Sequence, residues 1–371
     1  MLRVVSRENI VVAELDALQE DHDLFIGSRE SSLDDFFRLF DRSFSLMPRE
    51  YSRMCEALGL SGPNRIKTVP LSVVKKSAEL ISHEISDICS LPDNAKYLKN
   101  YVSMRKFLDS MHPAVIDNHA LQKLIDVQKH AGVKSNLESF RNPGSVKYSM
   151  SSSSTGRLSV TEGPKILTAP AEVKSILRSR HKKGILLQID LSCAEPNFAL
   201  YKAGEAPIRD IYEFCANEVL DGRVDRPTAK LILLSAIYGQ SSRNLSANIP
   251  AGINAALVAK KVKEFLSIPS LEEELRAAWA CGKLRNHLGR PLKSSKQRVL
   301  VSHYLQSSIA ETSILMFDKF CSSHDVIPVF VVHDALIIDC PTSVAEKLLS
   351  KTDFGLKYEN EEFPASVTKL G

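Results

Sequence analysis

The sequence predicts an α+β protein, an antiparallel sheet set among helices. Three observations predict it. Residues 184–191 are an apolar run rich in Ile and Leu, entered from Gly184 and closing on Asp190, which reads as a strand buried on both faces. Residues 326–339 hold two more apolar strands flanking His333 and Asp334. Consecutive strands of this kind pair as an antiparallel hairpin, with the polar pair at or near its turn. Long stretches before and between these runs carry apolar residues at helical spacing instead.

The strand at 184–191 organises the rest. A carboxylate buried at its end costs several kcal/mol unless a cation or hydrogen-bond donors meet it there. The exit of a core strand is therefore a natural place to hold a divalent metal, with a helix N-cap as the plainer alternative. Asp334 supplies the complement, a second acid beside a short turn in the core.

A chain of 371 residues with 44% apolar content can bury one large core or two modest ones, which excludes disorder. The net charge of +4 does not by itself announce a nucleic-acid binder, but its distribution is uneven. The first 56 residues are acid-rich and lack Lys, whereas residues 283–298 carry Lys283, Arg285, Arg290, Lys293, Lys296 and Arg298 with no acid among them. Such a run is either a solvated face or an ordered basic loop that follows a phosphate backbone. The seven cysteines, Cys55, Cys89, Cys193, Cys215, Cys281, Cys321 and Cys340, form no CxxC pair and read as reduced thiols of a cytosolic protein. No apolar stretch approaches the roughly 20 residues that span a membrane. The N-terminus has neither signal nor transit character. The expectation is a cytoplasmic protein with no membrane partner.

In chain order, residues 1–62 form an acidic segment, with amphipathic helical spacing over residues 33–40. Ser61, Gly62, Pro63 and Asn64 make a break and a candidate boundary. Residues 71–130 are helical almost throughout, interrupted at Leu91-Pro92-Asp93 and at His112-Pro113, and residues 141–144 break the chain again. The serine-rich stretch at residues 151–159, containing Thr155, Gly156 and Arg157, reads by composition as a flexible linker. Its alternative is a tight turn whose hydroxyls and Arg157 meet phosphates. Pro227 suits the first turn of a helix that Gly239 stops. Along it Arg226, Lys230, Leu234 and Tyr238 recur every four residues, drifting only about 40° per step. That face is either amphipathic with solvated cations, or a clamp in which Arg226 and Lys230 take a triphosphate while Leu234 and Tyr238 stack a base or sugar. A long helix over residues 298–320 carries Gln306.

The ordered set of the Thr155-Gly156-Arg157 turn, the strand with Asp190 and Glu195, the Arg226-to-Gly239 helix, Gln306, and His333-Asp334 resembles the polymerase core of family A DNA polymerases, the group of bacterial DNA polymerase I. The resemblance covers residues 121–371. It implies a right-hand fold with an antiparallel-sheet palm, helical fingers and a helical thumb. The thumb would be residues 63–145, and palm and fingers residues 146–371, with fingers at about 200–285. Asp190, Asp334 and the main-chain carbonyl of Leu191 would hold two Mg²⁺. Arg226 and Lys230 would bind the phosphates, and Lys230 would also protonate the departing pyrophosphate. Tyr238 and Leu234 would face the incoming nucleotide, and Glu195 would be the steric gate against a ribose 2′-hydroxyl. Thr155, Arg157, Arg298, Gln306 and His333 would contact primer-template DNA. Implied partners are primer-template DNA and deoxynucleoside triphosphates, with room for a separate exonuclease or processivity subunit.

Three departures from the family pattern stand out. Leu234 replaces the usual Phe or Tyr, Ala335 the usual Glu, and Ser302 an Asn of the template-contacting segment. The chain before the thumb is too short for a proofreading domain of ordinary size, and Glu14-Leu15-Asp16 reverses the family's Asp-x-Glu order. The expectation is a compact polymerase of viral or mobile-element type, in a bacterial or virus-infected cell, without 3′–5′ exonuclease activity. Two rivals remain: an RNA polymerase of the related single-subunit class, which has a small residue where Glu195 stands, and a replisome subunit that has lost catalysis.

Overall fold

The computed structural model describes residues 2–7, 10–15, 22–23, 36–40, 42, 48–60, 69–294 and 296–370. The chain forms two compact units, one of residues 1–102 with 289–291 and one of residues 103–288 with 292–371. The break expected at Ser61-Gly62-Pro63-Asn64 lies outside the described residues, as does Asp16.

The first unit opens with a three-stranded antiparallel sheet of β1 (Leu2–Arg7), β2 (Ile10–Leu15) and β3 (His22–Asp23), in that order. Helices α1 (Arg49–Ala57), α2 (Leu71–Ser90) and α3 (Pro92–Asp109) follow, α3 running on into the second unit. Strand β1 packs along α2. The break between α2 and α3 has the cause expected from sequence: Leu91, held extended before Pro92, caps α2 at ψ 120°. The Asn94 side-chain amide then donates to the Ile88 carbonyl at 2.8 Å, taking up one of the carbonyls left open at the helix end. Phe36, Phe37, Tyr97 and Tyr101 are fully buried here, with aromatic contacts from Phe40 to Tyr97 and from Tyr97 to Tyr101.

In the second unit, β4 (Val115–Ile116), α4 (Asn118–Val127), α5 (Ala131–Glu138), β5 (Lys147–Ser149), β6 (Ser159–Glu162) and β7 (Leu177–Arg178) lead to β8 (Gly184–Leu191). Next come α6 (Ala194–Lys202), α7 (Ile211–Phe214), α8 (Arg226–Ile237), α9 (Ser242–Ser246), α10 (Ala255–Phe265), α11 (Ile268–Ala280) and α12 (Leu300–Ser322). The chain closes with β9 (Ile327–Val332), β10 (Ala335–Pro341), α13 (Thr342–Leu349), β11 (Gly355–Tyr358) and β12 (Glu361–Leu370). Five strands form one antiparallel sheet in the order β11-β12-β8-β10-β9. Helix α12 packs against α6, β9 and β11, and α13 against β8, β10 and β12.

Strand β8 is central, but it is not buried on both faces. Leu187, Ile189 and Leu191 are buried while Gln188 and Asp190 are half-exposed, the alternation of an antiparallel strand with one face open. Nor are the serines at 151–159 a linker. β5 and β6 pair antiparallel on either side of them, and the loop is laced by its own hydroxyls: Ser152 Oγ to Ser149 Oγ at 2.7 Å, and Ser153 Oγ to Thr155 Oγ1 at 2.9 Å.

Strand β9 is an edge of the sheet, and three of its main-chain groups are covered. The buried Tyr148 hydroxyl donates to the Val331 carbonyl at 2.9 Å and accepts from the Val331 amide at 3.0 Å. The His112 amide donates to the Pro328 carbonyl at 2.9 Å. Tyr148→Phe removes one hydroxyl and leaves two buried main-chain groups unpaired, so it should destabilise the protein by about 1–3 kcal/mol. Chemical denaturation checks this; a variant within about 0.5 kcal/mol of wild type would mean water replaces the hydroxyl.

Candidate active site

Five segments of the second unit converge on a polar pocket of about 470 Å³, lined among others by Asp190, Leu191, Cys193, Glu195, Tyr212, Arg226, Lys230, Leu234, Tyr238, Asp334 and Ser366. Asp190 comes from the end of the central strand, cross-strand from Ala335 on one side and Ser366 on the other. Asp334 comes from the two-residue loop between β9 and β10, in which His333 takes φ 57°; such tight hairpin loops need a left-handed residue. The Leu191 amide donates to the Asp334 main-chain carbonyl at 3.1 Å, fastening the loop to the strand end. Both acids therefore belong to one hydrogen-bonded framework.

Glu195 reaches the pocket because the chain reverses sharply. Cys193, with φ 53° and ψ 47°, precedes α6 in the left-handed conformation, which costs a non-glycine residue roughly 1–2 kcal/mol. The fully buried Asn197 holds the turn: its amide donates to the Ser192 and Ile208 carbonyls, both at 3.0 Å, and its oxygen accepts from the Ile208 amide at 2.8 Å. Helix α8 starts on Asp225, whose side chain accepts from the Thr228 amide at 3.0 Å, and has proline in its first turn. It ends at Tyr238, followed by Gly239 at φ 64°. A Cβ at Gly239 would lie 2.9 Å from the Arg298 carbonyl oxygen, so only glycine fits.

The expected nucleotide-facing residues thus share one pocket. Tyr238 Oη donates to Glu195 Oε2 at 2.6 Å, and Arg157 Nη2 donates to Glu195 Oε1 at 2.9 Å. Gln306 lies beside the Tyr238 hydroxyl. His333 and Arg298 are exposed, while Thr155 is buried inside its loop. Ser302 is also buried, its hydroxyl donating to the Val299 carbonyl of its own helix turn at 3.0 Å.

Sequence reasoning missed Tyr212 and Cys193. The Tyr212 ring lies 5.5 Å from Arg226 Cζ and 5.5 Å from Lys230 Nζ, a cation–π platform for both charges. Its hydroxyl lies beside the Cys193 thiol. No spacing rule links residue 212 to residues 226 and 230; only the packing of α7 against α8 does. Arg226 also donates to Asp210 at 2.7 Å. Burial pushes the Asp210 carboxyl up, but this bond and the main-chain donors of α7 outweigh it and leave it below the usual range.

Burial pushes the Asp190 carboxyl above its ordinary range, and the neighbouring Asp334 charge raises it further, against a hydrogen bond from Gln188 and the more distant Lys174. Burial likewise raises Glu195, despite Tyr238 and Arg157. An acid pair that resists its own second charge suits a divalent cation. Among the described residues no cluster of three or more His, Cys, Asp or Glu is formed. The donor set fits Mg²⁺, which is commonly held by one or two carboxylates with the remaining positions left to water and substrate phosphates.

No family profile matches the chain, and no curated protein matches it. Among solved structures it is similar to the polymerase domain of Pol1 from M. smegmatis, a structure in complex with DNA primer-template and dNTP. The TM-score is 0.57 at 14% identity, covering 93% of this chain and 79% of that one. The fold is that of a polymerase domain, as the motifs implied. No helix among the described residues is long and apolar enough to cross a membrane.

Because Asp190 is charged against burial and repulsion, Asp190→Asn should unfold at or above the wild-type temperature in metal-free buffer. Mg²⁺ should stabilise the wild type and not the variant. That gain should shrink as pH falls through the raised carboxyl pKa, since proton and cation compete for the pair. Thermal melts across pH and Mg²⁺ concentration read all three. A variant destabilised by about 2 kcal/mol without metal would instead make the carboxylate a structural anchor.

Proposed function

We propose that the protein is a template-directed DNA polymerase of the family A type, extending a primer 3′-hydroxyl with deoxynucleotides. The observation that carries this reading is the meeting of Asp190, Asp334, Glu195, Arg226, Lys230 and Tyr238 in one pocket of a chain with a polymerase-domain fold. Asp190 and Asp334, with the Leu191 carbonyl, would hold two Mg²⁺, which when bound activate the 3′-hydroxyl and neutralise the triphosphate. Arg226 and Lys230 would take the phosphates, Arg226 exchanging Asp210 for them, and Lys230 would give a proton to the leaving pyrophosphate. Tyr238 would close over the nascent pair. Glu195 would block a ribose 2′-hydroxyl, and Arg157, Gln306, Arg298, Thr155 and His333 would lie along the primer-template.

On this reading residues 63–145 serve as thumb, about 200–285 as fingers, and the remainder of 146–371 as palm. Proofreading is proposed to be absent, since the sequence carries no Asp-x-Glu pair of the family's exonuclease order. The RNA polymerase alternative is disfavoured by Glu195, whose two oxygens are both engaged. A degenerate subunit is disfavoured by the retention of both acids and both cations.

Primer extension with Mg²⁺ tests the reading. Deoxynucleotides should be added and ribonucleotides rejected, Asp334→Ala should lose at least about 10³ in rate, and a mismatched primer end should persist. Addition of ribonucleotides would move the protein to the RNA-synthesising class. Binding of primed DNA with no extension would leave a degenerate subunit.

Leu234 lines the pocket where the family has an aromatic ring, so the sugar and base have less surface to stack on. Leu234→Tyr should lower KM for deoxynucleotides several-fold, on the order of the 0.5–1.5 kcal/mol of an aromatic contact, and shift dideoxynucleotide selectivity. Steady-state kinetics with both nucleotide types check this; unchanged selectivity defeats it.

A further inference from the structure

We infer that Arg157 is a specificity-determining residue that acts through Glu195, bracing the ribose gate as a second, independent clamp. The inference rests on the polymerase reading above and deepens it.

A glutamate has three side-chain torsions, and a gate built on one is only as selective as it is still. Freezing such a side chain costs up to about 1.5–2 kcal/mol of rotamer entropy. One hydrogen bond leaves the carboxylate free to pivot about that contact; two, one to each oxygen, fix it. Here Oε2 is held by Tyr238 at 2.6 Å and Oε1 by Arg157 at 2.9 Å. The result is a side chain with only 12% of its surface exposed, although Arg157 itself is 49% exposed.

The two clamps come from different parts of the unit. Tyr238 closes α8 and lies beside Gln306 of α12. Arg157 comes from the β5–β6 loop, whose flanking strand is pinned to the sheet edge through Tyr148 and Val331. Tyr238 stands on the helix that carries Arg226 and Lys230, so movement of α8 on nucleotide binding would move its clamp. The Arg157 clamp stands on the sheet and would hold Glu195 in place through such movement. A charge-assisted bond at this distance is about twice as strong as a neutral one, and burial makes the carboxylate dependent on it.

The test is single-nucleotide primer extension with a deoxynucleotide and its matching ribonucleotide, read as the ratio of the two kcat/KM values. The variants are Arg157→Ala, Arg157→Gln, Arg157→Lys, Glu195→Ala and Arg157→Ala/Glu195→Ala. If Arg157 braces the gate, Arg157→Ala lowers the ratio about tenfold, the order expected for one charge-assisted bond. Arg157→Lys keeps most of the ratio, and Arg157→Gln falls between. In the Glu195→Ala background the further Arg157→Ala change leaves the ratio where it is. Loss of a primer contact would slow both nucleotides alike in either background and would not move the ratio. The milder Gln and Lys variants carry the test if the Ala variant folds poorly. An unchanged ratio, or an equal fall with and without Glu195, overturns the inference while leaving the polymerase intact. No extension by wild type with any nucleotide overturns both.

Discussion

Two carboxylates that repel each other are held at one end of a sheet, and the arrangement around them follows from that constraint. Asp190 and Asp334 lie in strand and loop segments that adjoin through β8–β10 pairing and the Leu191–Asp334 main-chain bond. Ladder hydrogen bonds, not the side chains, bear the repulsion. A cooperative sheet can do this because moving one acid away would break several backbone bonds at once. β8 lies at the centre of the sheet, paired on both sides, and Tyr148 and the His112 amide hold the β9 edge of the hairpin that presents Asp334.

Conformational cost is also taken up around this point. Cys193 before α6, Gly239 after α8 and His333 in the hairpin loop all have positive φ. Two of the three are non-glycine residues in a region costing on the order of 1–3 kcal/mol. Each sits at the end of an element that delivers a pocket residue: Glu195, Tyr238 and Asp334. Compensation is visible in the buried Asn197, which ties the Ser192 carbonyl of the turn around Cys193 to the main chain of Ile208 through three hydrogen bonds. Sharp turns let three elements aim side chains at one volume without a long, mobile loop.

Much of this was legible in the sequence, for physical reasons. The apolar strand ending on Asp190, the hairpin around His333-Asp334 and the four-residue recurrence along α8 are periodic signals, and periodicity survives without coordinates. The breaks at Pro92 and Gly239 were legible because those residues restrict or free the backbone in known ways. Tyr212 was hidden because its partners lie a turn and a loop away in sequence, and Ser366 because only strand register brings it beside Asp190. The serine loop was misjudged from composition: hydroxyls that suit a linker also suit a loop that bonds to itself. The open face of β8 was missed because an apolar run dominated by Ile and Leu masks the alternation contributed by Gln188 and Asp190.

Ala335 ties the electrostatics to the proposed chemistry. It is buried, 4% exposed, at the strand position opposite Asp190. A glutamate in its place would bring a third acid to a pair whose first member already resists ionisation through burial and repulsion. With alanine the pair is easier to keep charged, but it offers fewer oxygens to a hard cation that prefers six. The missing ligands must then come from the main chain, water and the substrate's own phosphates. On the proposed reading, the two carboxylates would hold the metal together with phosphate oxygens of a triphosphate drawn by Arg226 and Lys230 on their Tyr212 platform. Cation and nucleotide binding would then be coupled, and the two positive side chains of α8 would help to assemble the metal site as well as hold the substrate.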